Sequence, residues 1–214
     1  MELSVPSLES SAGVTTTLHG NHAYVPAVSP TMRAVERVIA DIAPTDIPVL
    51  LVGESGTGKE VVAAQIHRLS LRRNEPFTKV SCAALTPEFF NQRHGVGNGS
   101  GNGSPPSGVF LLDEISELEL SCQPKLLHTL PDADAVAQDG ATVPLAARVI
   151  STTSRNLEEE MRAGRFREEL YYRINGVCLR LPPLRHRKED IPPLVSYFLA
   201  KHAAQLNRPQ PKLS

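Results

Sequence analysis

A glycine-rich turn that carries a lysine has the clearest chemical meaning in this 214-residue chain. The segment GESGTGKE, at residues 53–60, follows the apolar run 49–52 and precedes a stretch with helical spacing. Glycines in such a turn expose successive backbone N–H groups, and the following helix adds the positive end of its dipole, so the turn is suited to bind phosphate. We predict that Lys59 reaches the β- and γ-phosphates of a nucleotide. The candidate nucleotide-binding residues are Gly53, Glu54, Ser55, Gly56, Thr57, Gly58, Lys59 and Glu60.

Two carboxylates at the end of an apolar run could supply the second half of a nucleotide site. Residues 109–112 read VFLL and are followed by Asp113 and Glu114. In a nucleoside triphosphatase the first carboxylate helps to hold Mg²⁺ and the second polarises the attacking water. Taken singly, a capped helix start explains the two acids equally well, and a glycine turn can simply join unrelated elements. Because both motifs occur in one chain, we interpret them as the Walker A and Walker B motifs of one ATP site.

The elements expected between these motifs alternate between strands and helices. Short, continuously apolar runs are typical of parallel strands buried on both faces, and apolar residues at every third or fourth position indicate helices. This alternation predicts a doubly wound α/β fold with a parallel sheet and the glycine turn on a strand-to-helix connection. The predicted strands are residues 49–52, 77–80, 109–112, 147–151 and 177–181, and the predicted helices are 32–42, 59–69, 122–130, 157–163 and 166–173.

The composition argues against several other classes of function. A formal net charge of −1 provides no general attraction to nucleic acid or to an anionic membrane. The absence of Trp, with only 5% aromatic residues, argues against a surface that stacks bases. The three cysteines lie far apart without a CxxC pair, so neither a zinc site nor a disulfide framework is indicated. No apolar run is long enough to span a membrane and no secretion signal is recognisable, so we expect a cytoplasmic protein.

The chain divides by composition into a tail, a central domain and a C-terminal helical segment. Residues 1–28, rich in Ser, Thr, Gly and Pro, are predicted to form a disordered tail or linker. Residues 29–182 form the predicted nucleotide-binding domain, interrupted at 95–108 by a Gly/Asn/Ser-rich loop that we expect to be flexible. Residues 183–214 are predicted to begin a helical lid subdomain that is cut short. Its residues with helical spacing on one face are Ile191, Leu194, Val195, Phe198, Leu199 and His202.

Five segments resemble the central AAA+ ATPase domain of bacterial sigma-54-dependent transcriptional activators, the enhancer-binding proteins. The resemblance implies an AAA+ P-loop NTPase fold with a helical lid, ATP and Mg²⁺ as ligands, and self-association into a ring, a hexamer in the family. It also implies regulation of transcription through the sigma-54 RNA polymerase. The segments occur in the family's order from about residue 29 onward: GESGTGKE at 53–60, SCAAL at 81–85, FLLDEI at 110–115, GRFREELYYRIN at 164–175 and LPPLRHRKEDIP at 181–192.

The resemblance also implies roles for individual residues. Glu60 stands where P-loops in general carry a magnesium-binding Ser or Thr, but the family normally has Glu there, so Mg²⁺ would rest on phosphate oxygens, water and Asp113. Glu114 is the implied general base. Arg167 and Arg173 align with the arginine fingers that reach the nucleotide of a neighbouring subunit. Their spacing alone instead favours the solvated face of an amphipathic helix.

The chain departs from the family pattern in four ways. The family's sigma-54 contact loop, with its GAFTGA signature, lies between the SCAAL and Walker B segments, where this chain has FFNQRHGVGNGSGNGSPPSG at 89–108. Ser81 replaces a polar residue, often Asn, that is thought to switch the catalytic Glu. Ser154 occupies the sensor position, usually Asn, and its hydroxyl reaches less far than an amide. The remaining lid helices, a second sensor arginine and the helix-turn-helix DNA-binding domain have no counterpart in the sequence.

These observations leave more than one function open. The first hypothesis is an ATP-hydrolysing ring motor that acts on transcription. The second is a nucleotide-binding module without an output, because ordering a Gly/Ser/Asn segment costs about 1–2 kcal/mol per residue and would weaken contact with the sigma-54 polymerase. A remote third hypothesis is a P-loop phosphotransferase, for which no acceptor-site signature is found. We expect no membrane partner and no DNA-binding domain in this chain.

Overall fold

The structure, a computed structural model, describes residues 14–18, 24–87, 107–130 and 146–211. Its centre is a six-stranded sheet with the strand order β1-β3-β4-β5-β2-β6. All neighbouring strands are parallel except β1, which runs antiparallel to β3. The strands are β1 (Thr15–Thr17), β2 (Val49–Val52), β3 (Phe77–Ser81), β4 (Ser107–Asp113), β5 (Ala146–Thr153) and β6 (Val177–Arg180).

Helices cover both faces of this sheet, as parallel strands require. The described helices are α1 (Pro30–Ile42), α2 (Lys59–Leu69), α3 (Gln123–Thr129), α4 (Leu157–Arg162), α5 (Glu168–Ile174) and α6 (Ile191–Gln205). Short 3₁₀ turns lie at Cys82–Ala84, Ile115–Glu117, Leu184–His186 and Lys188–Asp190. The doubly wound α/β fold predicted from the alternation is therefore confirmed.

Helix α1 shows how local sequence sets the ends of an element. Ser29 caps its N-terminus by accepting a hydrogen bond from the backbone N–H of Met32 at 3.4 Å, and Pro30 occupies the first turn, where its missing N–H costs nothing. Met32, Ile39 and Ile42 are buried, as their helical spacing predicts. The apolar stripe of α1 thus packs into the core on one face of the sheet.

Among the described residues, two apolar clusters form the core, one on each face of the sheet. Successive residues of β2 point to opposite faces, so Leu50 belongs to one cluster and Leu51 to the other. The Leu51 cluster contains Met32, Ile39, Val62, Ile66, Val109, Leu111 and Ile150, contributed by α1, α2, β4 and β5. The Leu50 cluster contains Phe110, Leu112, Leu126, Leu157, Leu170 and Ile174, contributed by β4, α3, α4 and α5.

The register of the sheet places the ends of β2 and β4 at one edge. Strand β5 lies between them, and its Ser151 is opposite both Leu50 of β2 and Leu112 of β4. The loop that follows β2 and the acidic pair that follows β4 therefore leave the sheet at the same level. Ligands of open parallel sheets bind at this carboxyl edge.

The N-terminal segment corrects one expectation. Residues 15–17, within the predicted tail at 1–28, form β1, in which Thr15 is opposite Val80 and Thr17 is opposite Thr78. Three threonines show no apolar alternation, and their pairing is provided by the exposed edge of β3, which the sequence does not reveal. The remaining residues of the tail that are not described, and most of the predicted loop at 95–108, lie outside the described residues.

The C-terminal segment forms the predicted helix, α6. Its expected apolar face is only partly covered, since Phe198 is 48% exposed and Ile191 is 37% exposed. The domain boundaries themselves stay predictions. Within the ranges that the structure describes, no helix is long and apolar enough to cross a membrane.

Candidate nucleotide-binding site

The glycine turn between β2 and α2 has the backbone shape of a phosphate-binding loop. Gly56 and Gly58 have φ angles of 80° and 92°, a left-handed conformation that a side chain would strain. The Thr57 hydroxyl donates to the carbonyl of Glu54 at 2.8 Å and closes the turn. Because α2 begins at Lys59, its N-terminal N–H groups face this turn. The turn and the helix dipole together favour an anion here.

Lys59 joins the two predicted motifs. Its side chain is only 8% exposed, and its Nζ donates to the carbonyl of Gly53 at 2.8 Å. The same Nζ lies 2.9 Å from Glu114 Oε1. The carbonyl and the carboxylate replace the water lost on burial of the ammonium, which would otherwise be costly. The structure thus brings the lysine of the glycine turn into direct contact with the acidic pair at the end of β4.

Glu114 is held at both carboxylate oxygens. Its Oε2 accepts hydrogen bonds from the backbone N–H and the hydroxyl of Ser154 at 2.7 and 2.9 Å, while Oε1 contacts Lys59. Its backbone has a φ of 50°, and its N–H donates to the Thr152 hydroxyl at 2.9 Å. A left-handed conformation costs a non-glycine residue about 1–2 kcal/mol, and it persists here because these contacts fix the carboxylate.

Asp113 lies beside a second lysine. Thr152 donates its hydroxyl to Asp113 Oδ1 at 2.9 Å. The Nζ of Lys79 is 2.9 Å from Asp113 Oδ2 and 2.7 Å from Glu60 Oε2. Burial lowers the pKa of Lys79, but its hydrogen bonds to Glu60 and Asp113 outweigh that effect and hold the pKa above its ordinary value. The positively charged form of Lys79 is therefore favoured between the two acids.

The two acids fit a divalent cation. Asp113 and Glu60 both reach one ammonium, so their oxygens converge closely enough to share a positive ion. Mg²⁺ commonly takes one or two carboxylates and completes its shell with water and phosphate oxygens. No cluster of three or more His, Cys, Asp or Glu side chains with metal-binding geometry occurs among the described residues.

An apolar cavity of about 360 Å³ adjoins the glycine turn. Its volume lies in the range of small-molecule sites. The glycine turn forms one wall, and the N-terminal segment, α2 and α6 form the others. The lining residues are Tyr24, Val25, Pro26, Ala27, Met32, Gly56, Thr57, Gly58, Val61, Val62, Leu184, Arg187, Asp190, Pro193, Leu194, Tyr197 and Phe198. Two residues of the partly covered face of α6, Leu194 and Phe198, therefore line this cavity.

Asp190 ties the walls of the cavity together. The buried carboxylate accepts hydrogen bonds from the N–H groups of Val28 and Ser29 and from the Ser29 hydroxyl, each at 2.7 Å. Burial raises the pKa of Asp190, but these hydrogen bonds outweigh that effect and hold the pKa below its ordinary value. Nearby, Arg187 donates to the carbonyl of Thr57 at 2.7 Å. The segment before α6 is thus attached both to the N-terminal segment and to the glycine turn.

The two candidate arginine fingers lie at the two ends of α5. Arg167 precedes the helix and is 44% exposed, with its Nε 3.4 Å from Glu169. Arg173 is half-buried in the last turn. The backbone N–H of Arg167 donates to the buried Gln123 side chain at 2.8 Å, and Gln123 also donates to the carbonyl of Arg165 at 3.0 Å. The roles of both arginines stay predictions.

Sequence reasoning did not identify Lys79, Thr152 or Gln123. Lys79 occupies an ordinary strand position, and only the parallel register of β3 and β4, with Ser81 opposite Asp113, places it near the acids. Thr152 lies in β5, two residues before Ser154, so the strand that precedes the predicted sensor could have indicated it. Gln123 follows no local pattern. The switch role predicted for Ser81 stays a prediction.

The fold and the site together define a P-loop nucleotide-binding domain of the AAA+ type. The family model described as the sigma-54 interaction domain matches residues 25–180. The chain therefore belongs to the sigma-54 interaction domain family.

Several known proteins resemble the chain. It is 43% identical to UacR of Escherichia coli (strain K12) over 197 residues, which are 86% of this chain and 33% of UacR. It is 42% identical to the transcriptional regulatory protein ZraR of Klebsiella oxytoca over 188 residues, 82% of this chain and 42% of ZraR. The chain thus spans less than half the length of these curated relatives. The crystal structure of NtrX from Brucella abortus in complex with ADP matches with a TM-score of 0.73 at 32% identity, covering 91% of this chain and 45% of NtrX.

Proposed function

We propose that the chain is the ATP-binding and ATP-hydrolysing domain of a cytoplasmic sigma-54-dependent transcriptional regulator. The observation that carries the proposal is the 2.9 Å contact between Lys59 Nζ and Glu114 Oε1 beside the glycine turn. NtrX, whose fold this chain shares, has been crystallised with ATP and with ADP. UacR is named as a sigma-54-dependent regulator.

ATP binding would use both the glycine turn and the cavity that adjoins it. The triphosphate would accept hydrogen bonds from the N–H groups of the glycine turn and of the first turn of α2, and the base would enter the adjoining cavity. Lys59 would move from Glu114 to the phosphates, because a multiply charged phosphate attracts the ammonium more strongly than one carboxylate does. Phosphate binding would therefore free Glu114 Oε1.

The release of Glu114 Oε1 from Lys59 would allow hydrolysis. With Oε2 still held by Ser154, the freed Oε1 of Glu114 could polarise a water molecule toward the γ-phosphate. Asp113 and Glu60 are the residues that would hold Mg²⁺, which when bound offsets negative charge on the phosphates. The protein's contribution is to fix the base, the lysine and the phosphates in one geometry.

A second subunit would complete the site. Arg167 is exposed at the start of α5, where a neighbouring subunit in a ring could receive it. Gln123, fully buried, fixes the backbone of Arg167. An arginine finger raises the rate of related enzymes by about 10³–10⁵. We infer that turnover requires self-association, with Arg167 and Arg173 acting on the neighbouring nucleotide.

Titration with ATP tests nucleotide binding. Isothermal calorimetry of the wild-type chain should show one site, and Lys59→Ala should lose at least about 100-fold in affinity because the phosphates lose their buried cation. Lys188→Ala removes an exposed lysine that lines neither the glycine turn nor the cavity; it is the matched control and should bind as the wild type does. Equal affinity of Lys59→Ala and the wild type would contradict the site assignment.

A turnover assay tests hydrolysis. ATPase activity per chain should rise with protein concentration, and Glu114→Gln and Arg167→Ala should each abolish it while retaining ATP binding. Mixing the two inactive variants should restore part of the activity, because one subunit would supply the base and its neighbour the arginine. Turnover independent of concentration would contradict the proposed ring.

The second candidate, a nucleotide-binding module without an output, is favoured by one sequence observation. Residues 89–108 contain no GAFTGA signature. Binding of ATP without turnover at any concentration would support this alternative. We expect the chain not to co-migrate with sigma-54 in the presence of a transition-state analogue of ATP hydrolysis, and stable co-migration would contradict that expectation.

A further inference from the structure

Lys79 extends its ammonium into the place where the proposed metal ligands converge. Its Nζ lies 2.7 Å from Glu60 Oε2 and 2.9 Å from Asp113 Oδ2. The other oxygen of Asp113 accepts the Thr152 hydroxyl, so both oxygens of this carboxylate have a donor. Lys79 comes from β3, a strand that belongs to neither the glycine turn nor the acidic pair.

We propose that Lys79 is a built-in cation of the nucleotide site, which competes with Mg²⁺ for Asp113 and Glu60 and allows nucleotide to bind without the metal. This inference rests on the proposed nucleotide-binding function. It predicts that nucleotide binding by this chain depends less on Mg²⁺ than it would without Lys79.

The charges of the site support this role. Lys59 and Lys79 are the two cations among the contacts described, and they face the carboxylates of Glu60, Asp113 and Glu114. Without Lys79, Lys59 would be the remaining ammonium among these described contacts to face three carboxylates and a triphosphate. Charges a few ångströms apart in a partly buried site interact more strongly than they do in bulk water. Removing Lys79 should therefore weaken metal-free nucleotide binding.

The same geometry makes Mg²⁺ compete with the lysine. To bind Asp113 or Glu60, the metal must take an oxygen that the ammonium already contacts. Mg²⁺ also gives up its own water reluctantly, so a resident cation at 2.7–2.9 Å raises the concentration of metal that is needed. Removing Lys79 should strengthen Mg²⁺ binding.

Lys79 is able to move aside. Its side chain is 27% exposed, and a lysine carries its charge on a flexible four-carbon stem. The ammonium can therefore leave the carboxylates for solvent when Mg²⁺ enters with the phosphates. A rigid, fully buried ion pair would not allow this exchange.

The test compares nucleotide affinity with and without the metal. A fluorescent N-methylanthraniloyl derivative of ATP is titrated with chain in EDTA and in saturating Mg²⁺, for the wild type, Lys79→Met and Lys79→Arg. In EDTA we expect Lys79→Met to bind about tenfold more weakly than the wild type. In Mg²⁺ the two should bind within about twofold, because the metal replaces the lost charge. Lys79→Arg, which keeps the charge, should behave as the wild type.

A second readout is the Mg²⁺ concentration at half-maximal enhancement of binding, which should fall in Lys79→Met. The two shifts have opposite signs, so a general loss of structure cannot mimic them. Lys188→Met removes an exposed lysine and should change neither value. Parallel weakening of Lys79→Met in EDTA and Mg²⁺, or an unchanged ratio, would overturn the inference alone. Absence of binding by the wild type under both conditions would remove the proposed function and this inference with it.

Discussion

The phosphate end and the base end of the site are built in different ways. At the phosphate end, a contiguous turn and one strand end supply Lys59 and Glu114, which meet at 2.9 Å. At the proposed base end, the cavity is lined by the N-terminal segment, α2 and α6, which are far apart in the sequence. Local sequence fixes the chemistry of the phosphate end, whereas long-range contacts fix the base end. The two ends should therefore respond differently to mutation.

Among the changes that compare the two ends, Asp190→Ala is expected to have the largest effect, because it disconnects the walls of the proposed base end. The change leaves the N–H groups of Val28 and Ser29 without the buried acceptor they now share. Hydrogen bonds to a buried charge are each worth about 1.5–3 kcal/mol, so we expect a loss of about 3 kcal/mol in the free energy of unfolding. Urea denaturation measures the loss. Glu189→Ala, an exposed neighbour, is the control and should be neutral.

The same carboxylate should make stability depend on pH. Hydrogen bonds from Ser29 and Val28 outweigh burial and hold the pKa of Asp190 below its ordinary value. A lowered pKa in the folded state adds stability above the ordinary aspartate pKa, and this stability is lost as the pH falls through the folded-state value. The difference in unfolding free energy between wild type and Asp190→Asn should thus be constant near neutrality and shrink below about pH 4. A difference that grows toward acid pH would contradict this sign.

The sequence predicts the phosphate end of the site better than the contacts that build the other end. Contiguous motifs predict residues 53–60 and the Asp113–Glu114 pair as site residues, since a phosphate-binding turn and a strand end need only neighbours in the sequence. The hydrogen bond from Ser29 to Asp190 joins residues that are 161 positions apart, so no local pattern predicts it. Strand β1 was missed for the same reason, because its pairing depends on β3.

Ser154→Ala is expected to have the next largest effect, and it acts at the phosphate end. The Ser154 hydroxyl donates to Glu114 Oε2 at 2.9 Å, while the Ser154 N–H donates to the same oxygen at 2.7 Å. Because the backbone donor remains, we expect turnover to fall about tenfold, the loss of one hydrogen bond to a charged group. ATP affinity should be unchanged in calorimetry. Ser154→Asn restores a side-chain donor and should recover the rate; equal loss in both variants would argue against the hydrogen bond.

Phe198→Ala is expected to have a smaller effect that is confined to the base end. Phe198 lines the cavity but is 48% exposed, so about threefold weaker ATP binding is expected from the apolar area lost. Tripolyphosphate, which lacks a base, should bind the variant and the wild type equally. Leu206→Ala removes a side chain that is 68% exposed and outside the cavity, and it should leave both affinities unchanged. Weaker binding of tripolyphosphate by Phe198→Ala would show that the two ends are not separable.

Arg185→Ala is expected to have the smallest effect, although its ion pair links the two ends. Arg185 donates to Glu54 of the glycine turn at 2.7 Å through Nη1, and this hydrogen bond lowers the pKa of Glu54. The side chains are 60% and 56% exposed, so water and salt screen the pair and little affinity depends on it. ATP affinity should change by about twofold or less at physiological salt. Calorimetry at low and high salt measures the change. A loss of affinity well above twofold would mean that the exposed pair, rather than the hydrogen bond from Arg187 to Thr57, couples the glycine turn to the segment before α6.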